Sequence, residues 1–226
     1  MAGLTFKVGL IALLGGLIPA FLWLWFWLKE DERKPEPWGL LIMTFVLGML
    51  SVFVVLPLEN FIDTLVTGQN SLTILWAAAE ELVKFAAVFF IAISSRYADE
   101  PVDLAIYMMT GALGFAAMEN ALFLIDPVSF GGATVSLLTG NFRFLGAMLL
   151  HTVSSGLIGI ALGLSFYKNW KMKFLFLVIG ILGAISLHSI FNFLIIESSK
   201  GLFGVFSLLW GVTIIVLLLF EQLRRM

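Results

Sequence analysis

An all-α, polytopic transmembrane helix bundle of about seven spans is the fold class this sequence predicts, and three observations carry it. Of 226 residues, 61% are hydrophobic and 12% charged, too little polar surface for a water-soluble domain of this length. Apolar stretches of roughly twenty residues, the length that crosses a bilayer, recur along the whole chain. Pro35, Pro37, Pro57, Pro101 and Pro127 fall at or between the ends of those stretches, where a missing backbone N–H costs least.

The net charge of −2 argues against nucleic acid as a partner, and the absence of cysteine excludes disulfides and thiol catalysis. No polar stretch is long enough for a separate soluble domain, so residues 1–226 read as one transmembrane domain with its core helices over about 73–196.

The first span, 8–28, follows Lys7 and is longer than the apolar core of a signal peptide. It runs into the charged cluster 29–34 without a small-residue cleavage site, so it reads as a retained helix, and Pro19 predicts a kink within it. The remaining spans are predicted at 38–57, 73–93, 104–125, 143–166, 172–196 and 202–220. Spans one, two and seven are bulky and uncharged. The middle four carry small residues, among them Ala77, Ala78, Ala79, Gly111, Gly114, Gly156, Gly159, Gly163, Gly180 and Gly183. Small residues let membrane helices approach closely, which predicts spans three to six as the packed core and the others as its surround.

Seven spans put the termini on opposite sides. With the C-terminus cytoplasmic, Lys29, Arg33, Lys34, Arg96, Lys168, Lys171, Lys173, Arg224 and Arg225 lie inside, against Lys7, Arg143 and Lys200 outside. That bias predicts an external N-terminus, and it seats Trp23, Trp25, Trp27 and Trp38 near the cytoplasmic interface as an aromatic belt.

Against this background, six ionisable residues stand in the wrong solvent. Glu80, Glu81, Lys84, Glu119, His151 and His188 all fall within spans. An ionised side chain at mid-bilayer costs at least ~2.5–3.5 kcal/mol on insertion scales, so such groups face the bundle interior and take partners. Their depths agree. Glu80, Glu119, His151 and His188 each lie about six to eight residues from the outer end of their span, or ~10–12 Å at ~1.5 Å rise per residue.

Local spacing adds geometry. Lys84 is i+4 from Glu80 and i+3 from Glu81, so one ammonium can neutralise either carboxylate. His188 and Asn192 share a face at i,i+4, as do His151 and Ser155. Asn120 points about 100° away from Glu119. Asn120, Ser154 and Ser155 also fit a purely interhelical hydrogen-bonding role, and Glu81–Lys84 a structural ion pair. Glu59 and Asp63 precede an outer loop at the mouth of this layer.

Four motifs follow one another on successive spans: Glu80-Glu81-Leu82-Val83-Lys84, Phe115 to Asn120 in the pattern FxxxEN, His151, and His188 to Asn192. With Pro35-Glu36-Pro37-Trp38 ahead of them, they make nearly the whole chain resemble the PrsW family of intramembrane proteases, relatives of the CAAX-processing and bacteriocin-immunity membrane proteases. The resemblance implies a multi-pass protein of a prokaryotic cytoplasmic membrane that hydrolyses peptide bonds of membrane-anchored proteins near the extracytoplasmic face. A single-span anti-sigma factor is the substrate type it implies. Glu80, Glu81, Lys84, Glu119, Asn120, His151, His188 and Asn192 are then the site residues. Glu80 would serve as general base on water, His188 and Asn192 as donors to the oxyanion, and Glu119 and His151 as orienting or proton-donating groups.

Two chemistries compete. One requires no cofactor. The other places zinc on Glu80, Glu119, His151 and His188, ligands that must converge from separate helices because HExxH is absent. Two other classes of function need the same buried groups or the same fold, a proton-coupled transporter and a non-catalytic membrane scaffold. The chain shows no internal repeat of the kind transporters carry, and its polar layer lies off-centre.

Overall fold

A computed structural model describes residues 6–30, 34–197 and 202–226, and within them the side chains of all but 30, 126–145, 196–197 and 202–203. The described residues form helices and no strands. In chain order these are α1 (Phe6–Glu30), α2 (Trp38–Leu65), α3 (Gln69–Val88, continued by a π-helical turn over Phe89–Ile93), α4 (Pro101–Leu164), α5 (Trp170–Glu197) and α6 (Leu202–Arg224).

Two boundaries differ from those the sequence predicts. Pro57 does not end α2, which runs on to Leu65. A proline removes only its own backbone hydrogen bond and restrains the residue before it, so a strongly apolar segment can continue past it. Spans four and five belong to one helical element, with Pro127 inside α4. Its two arms nevertheless lie side by side. A Cβ built on Gly159 would stand 2.4 Å from the Leu104 carbonyl oxygen, and one on Gly163 would stand 2.4 Å from that of Pro101. The chain therefore reverses between the arms.

Among the described residues, six segments are long and apolar enough to cross a membrane, namely Phe6–Lys29, Trp38–Leu65, Pro101–Ile125, Gly146–Leu164, Trp170–Ile195 and Gly204–Arg224. The third predicted span is a helix of sufficient length, but Glu80, Glu81 and Lys84 make its middle too polar to count with these. It is held by its neighbours instead.

The core is narrower than the glycine pattern predicts. The two arms of α4 are each 72% buried along their apolar stretch, whereas that of α5 is 33% buried, close to the 39% of α2. Glycine at 48, 111 and 114 explains how α2 comes so close to the first arm, since a Cβ on Gly48 would lie 2.0 Å from the Gly111 oxygen and one on Gly114 2.0 Å from that of Phe45. One turn further along that arm, Gly16 brings α1 against Ala117 in the same way.

At the end where α2 and α4 begin, the connector preceding α2 is fixed by polar contacts. The Tyr107 hydroxyl donates to Glu36, and both are buried. Asp103 accepts the backbone N–H groups of Asp99 (2.9 Å) and Glu100 (2.6 Å), capping α4. Lys34 spans Asp99 and Glu100 at 3.5 and 2.8 Å. The opposite half of the bundle holds the ionisable layer.

Candidate functional site: a buried carboxylate–histidine centre

α3 supplies Glu80, Glu81 and Lys84, which lie on the face turned into the bundle and are all buried. The first arm of α4 brings Glu119, the second arm His151, Ser154 and Ser155, and α5 His188. The six ionisable residues that the sequence places within spans, four of them at one depth, thus meet in one cluster.

Glu81 is the structural pivot. Its Oε1 accepts from Lys84 Nζ at 2.6 Å, His188 Nδ1 at 2.9 Å and the Ser154 hydroxyl at 3.0 Å, and its Oε2 accepts from Ser155 at 2.7 Å. An ammonium and the N–H and O–H donors around it compensate the charge of this carboxylate, which is the condition for burying it. Lys84 also donates to His151 Nδ1 at 3.0 Å and lies over the Phe115 ring at 4.8 Å. Phe115 in turn packs with Val52 and Val55 of α2.

These contacts fix both imidazoles. His188 donates through Nδ1 to Glu81, which leaves a lone pair on Nε2. His151 donates through Nε2 to Glu119 Oε2 at 3.0 Å and accepts from Lys84 at Nδ1. His188 Nε2, which is free, and His151 Nδ1, which accepts from Lys84, both face Glu80 Oε2, at 3.8 and 3.7 Å. Lys84 Nζ is 3.8 Å from the same oxygen. Glu80 Oε2 is buried and has no hydrogen-bond partner. Three electron-rich atoms therefore converge within 4.8 Å of one another around a position that calls for protons or a cation.

A divalent metal ion fits this donor set. Tetrahedral coordination at ~2.0–2.2 Å puts ligand atoms ~3.3–3.6 Å apart, slightly less than the separations seen here. Each histidine is backed by a carboxylate on its far nitrogen, as metal-ligating histidines are. Glu119, which the sequence reading counts among the ligands, stands behind His151 and bonds its outer nitrogen. Lys84 is the group that must yield its contact with His151 Nδ1 to such an ion.

Two predicted residues stand apart. Asn120 is buried, with neither side-chain polar atom hydrogen-bonded, on a different face of α4 from Glu119. Asn192 is half-buried one turn beyond His188 and makes none of the hydrogen bonds described above. Conversely, Ser154 and Ser155 enter the centre through Glu81, which the i,i+4 spacing of His151 and Ser155 already hinted at. Glu59, half-buried on α2, lies near enough to Glu119 for their charges to interact, and Asp63 one turn on accepts from Trp76 Nε1 at 2.9 Å.

Fold and centre together define the class: a multi-pass membrane protein with a carboxylate–histidine cluster buried among its helices. The chain belongs to the PrsW family, whose family model, described as PrsW family intramembrane metalloprotease, matches residues 36–220. Protease PrsW of Geobacillus kaustophilus is 27% identical over 201 residues, covering 86% of this chain and 85% of that protein. Protease PrsW of Halalkalibacterium halodurans is 27% identical over 223 residues, covering 94% and 98%. That of Bacillus subtilis is 23% identical over 194 residues, covering 83% and 84%. No solved structure matches the chain. These bacterial relatives support an intramembrane peptidase, whose substrates are membrane proteins met within the bilayer.

Proposed function

We propose that the chain is an endopeptidase that cuts membrane-anchored, single-span proteins near the extracytoplasmic face, with Glu80 as the group that activates water. The observation that carries this is the orphaned, buried Glu80 Oε2, with two imidazole nitrogens and an ammonium turned towards it. A water at that position donates one proton to Glu80 and keeps a lone pair for the scissile carbonyl. As the C–O bond forms, Glu80 takes the proton, and breaking the C–N bond requires that a proton reach the departing amine. Lys84, compensated by Glu81, supplies positive charge beside the developing oxyanion. Asn192, one turn along α5 from His188, is the second donor assigned to that oxygen in this reading.

His188 is better suited to orient the water through its Nε2 lone pair than to donate to the oxyanion while neutral. Glu80 can return to the amine the proton it took from the water, and His151, whose own N–H is held by Glu119, helps to orient that water. Where a divalent ion is bound, Glu80, His151 and His188 hold it, and it supplies Lewis-acid polarisation of the carbonyl and a more acidic water.

With the N-terminus outside, as the distribution of basic residues supports, the centre lies in the outer half of the bilayer. A cut at that depth releases an extracytoplasmic segment, which suits a membrane-bound anti-sigma factor as substrate. Comparison of protein ends in host membranes carrying wild type or Glu80→Gln tests the proposal. New ends in a single-span protein, near its outer boundary and in wild type alone, are expected. Identical ends with both proteins folded and abundant would reject it.

A further inference from the structure

Ser154 and Ser155 are fully buried on the second arm of α4, next to a carboxylate that already has an ammonium partner. Charge compensation of Glu81 therefore does not require them. What Lys84 alone leaves open is the rotation of the carboxylate, because a single ammonium at 2.6 Å from Oε1 can be met in many orientations. Ser155 removes that freedom by donating to Oε2 at 2.7 Å, which turns Oε1 towards Lys84 and His188 Nδ1 together.

The two serines are not equivalent. Ser154 has one hydroxyl proton and lies near two strong acceptors, the Leu150 carbonyl at 2.8 Å and Glu81 Oε1 at 3.0 Å, with the His151 carbonyl at 3.4 Å. Back-bonding to the preceding turn is the ordinary use of a serine within a helix. Ser155 is aimed at Glu81 Oε2.

We infer that Ser155 is a positioning residue: by orienting Glu81 it holds His188 in the tautomer protonated at Nδ1, so that the Nε2 lone pair faces Glu80. His151, by contrast, is protonated at Nε2, towards Glu119. The centre thus carries its two histidines in opposite tautomers, and both unprotonated nitrogens face one oxygen, His188 Nε2 free and His151 Nδ1 held by Lys84. A metal or a water needs lone pairs there. A reversed His188 would instead aim an N–H at Glu80 and occupy the position. The inference depends on the proteolytic reading only for its consequence in catalysis, because the tautomer can be read without substrate.

The chain contains two histidines, which makes the test direct. Protein labelled with 15N-histidine is purified in detergent, and the imidazole nitrogen shifts are recorded, with His151→Gln assigning the two rings. In wild type, His188 is expected to show the Nδ1–H pattern and His151 the Nε2–H pattern. Ser155→Ala should convert His188 to a tautomer mixture while leaving His151 unchanged, Ser155→Thr should restore the single pattern, and Ser154→Ala should change little. An Nε2–H tautomer for His188 in wild type overturns the inference, as does an unaltered His188 in Ser155→Ala. Because the wild-type spectrum decides the tautomer with no substitution, an alanine variant that fails to fold does not shelter it. Loss of peptidase activity without a change in tautomer would count against Ser155 acting through His188, and absent activity with the expected tautomers would count against the proteolytic reading alone.

Discussion

His151 and His188 meet edge to face, with ring centres 5.1 Å apart and planes at 87°, and each is held from behind by a different carboxylate. Perpendicular rings let two nitrogens approach the same oxygen without stacking against one another. Glu80 is the group they share.

Glu80→Gln keeps size and packing while removing the acceptor that can take a proton. Peptidase activity on a membrane-embedded reporter is expected to fall by about 10²–10⁴-fold, the usual worth of a positioned general base. Thermal unfolding in detergent should be nearly unchanged or slightly raised, because Glu80 Oε2 has no hydrogen bond to lose. A variant with full activity ends the assignment of Glu80.

Removing Lys84 should injure the fold more than removing Glu80. Lys84→Met leaves Glu81 buried without its cation, a change worth about 3–5 kcal/mol of stability where buried pairs are broken. Adding Glu81→Leu to Lys84→Met should recover much of the loss, since apolar replacement of both partners is often close to neutral. Midpoints of denaturation for the two single variants and the double variant measure the coupling.

Metal analysis separates the two chemistries. Purified wild type is expected to bind a divalent ion at one site, with His151→Ala and His188→Ala each abolishing it. Glu119→Gln should weaken binding by about 10–100-fold, the range for a carboxylate that only orients a ligating histidine. Metal-free protein that cleaves at the wild-type rate in chelator assigns the water to Glu80 without an ion.

Close helix approach makes a prediction away from the centre. Gly48→Val would drive a side chain into the Gly111 backbone, where even a Cβ stands 2.0 Å from the carbonyl oxygen. The cost of such overpacking is typically about 1–3 kcal/mol, and here backbone rather than a flexible side chain must move. Gly39→Val, at a position with nothing within 4 Å of its Cβ, should be tolerated. Expression level and unfolding midpoint distinguish the pair.

Much of this arrangement was legible in the sequence because the membrane makes polarity conspicuous. Glu80, Glu81, Lys84, Glu119, His151 and His188 stood out as ionisable groups in apolar spans, and counting residues from the span ends already placed four of them at one depth. What counting could not supply was rotation. Asn120 follows Glu119 directly yet turns to another face, and Asn192 remains at the margin although it shares a face with His188. The serines were harder still, since a hydroxyl within a membrane helix has a bland use in its own backbone, and only the position of Glu81 distinguishes Ser155 from that background. The small residues of span six misled for a related reason. Gly183 permits a close neighbour without requiring one, so α5 lies more open than its glycines imply.

The reversal of α4 has a consequence for biogenesis. Glu119 and His151 stand on its two arms, 32 positions apart, and can pair as soon as that hairpin has entered the membrane. The bond from His188 to Glu81 bridges 107 positions and waits for α5. A nascent chain that has inserted α3 and α4 but not α5 holds the three glutamates, the lysine and one histidine without the second imidazole. Completion of the centre is therefore one of the last steps of synthesis, and partly made chains in the same membrane lack one of its three converging side chains.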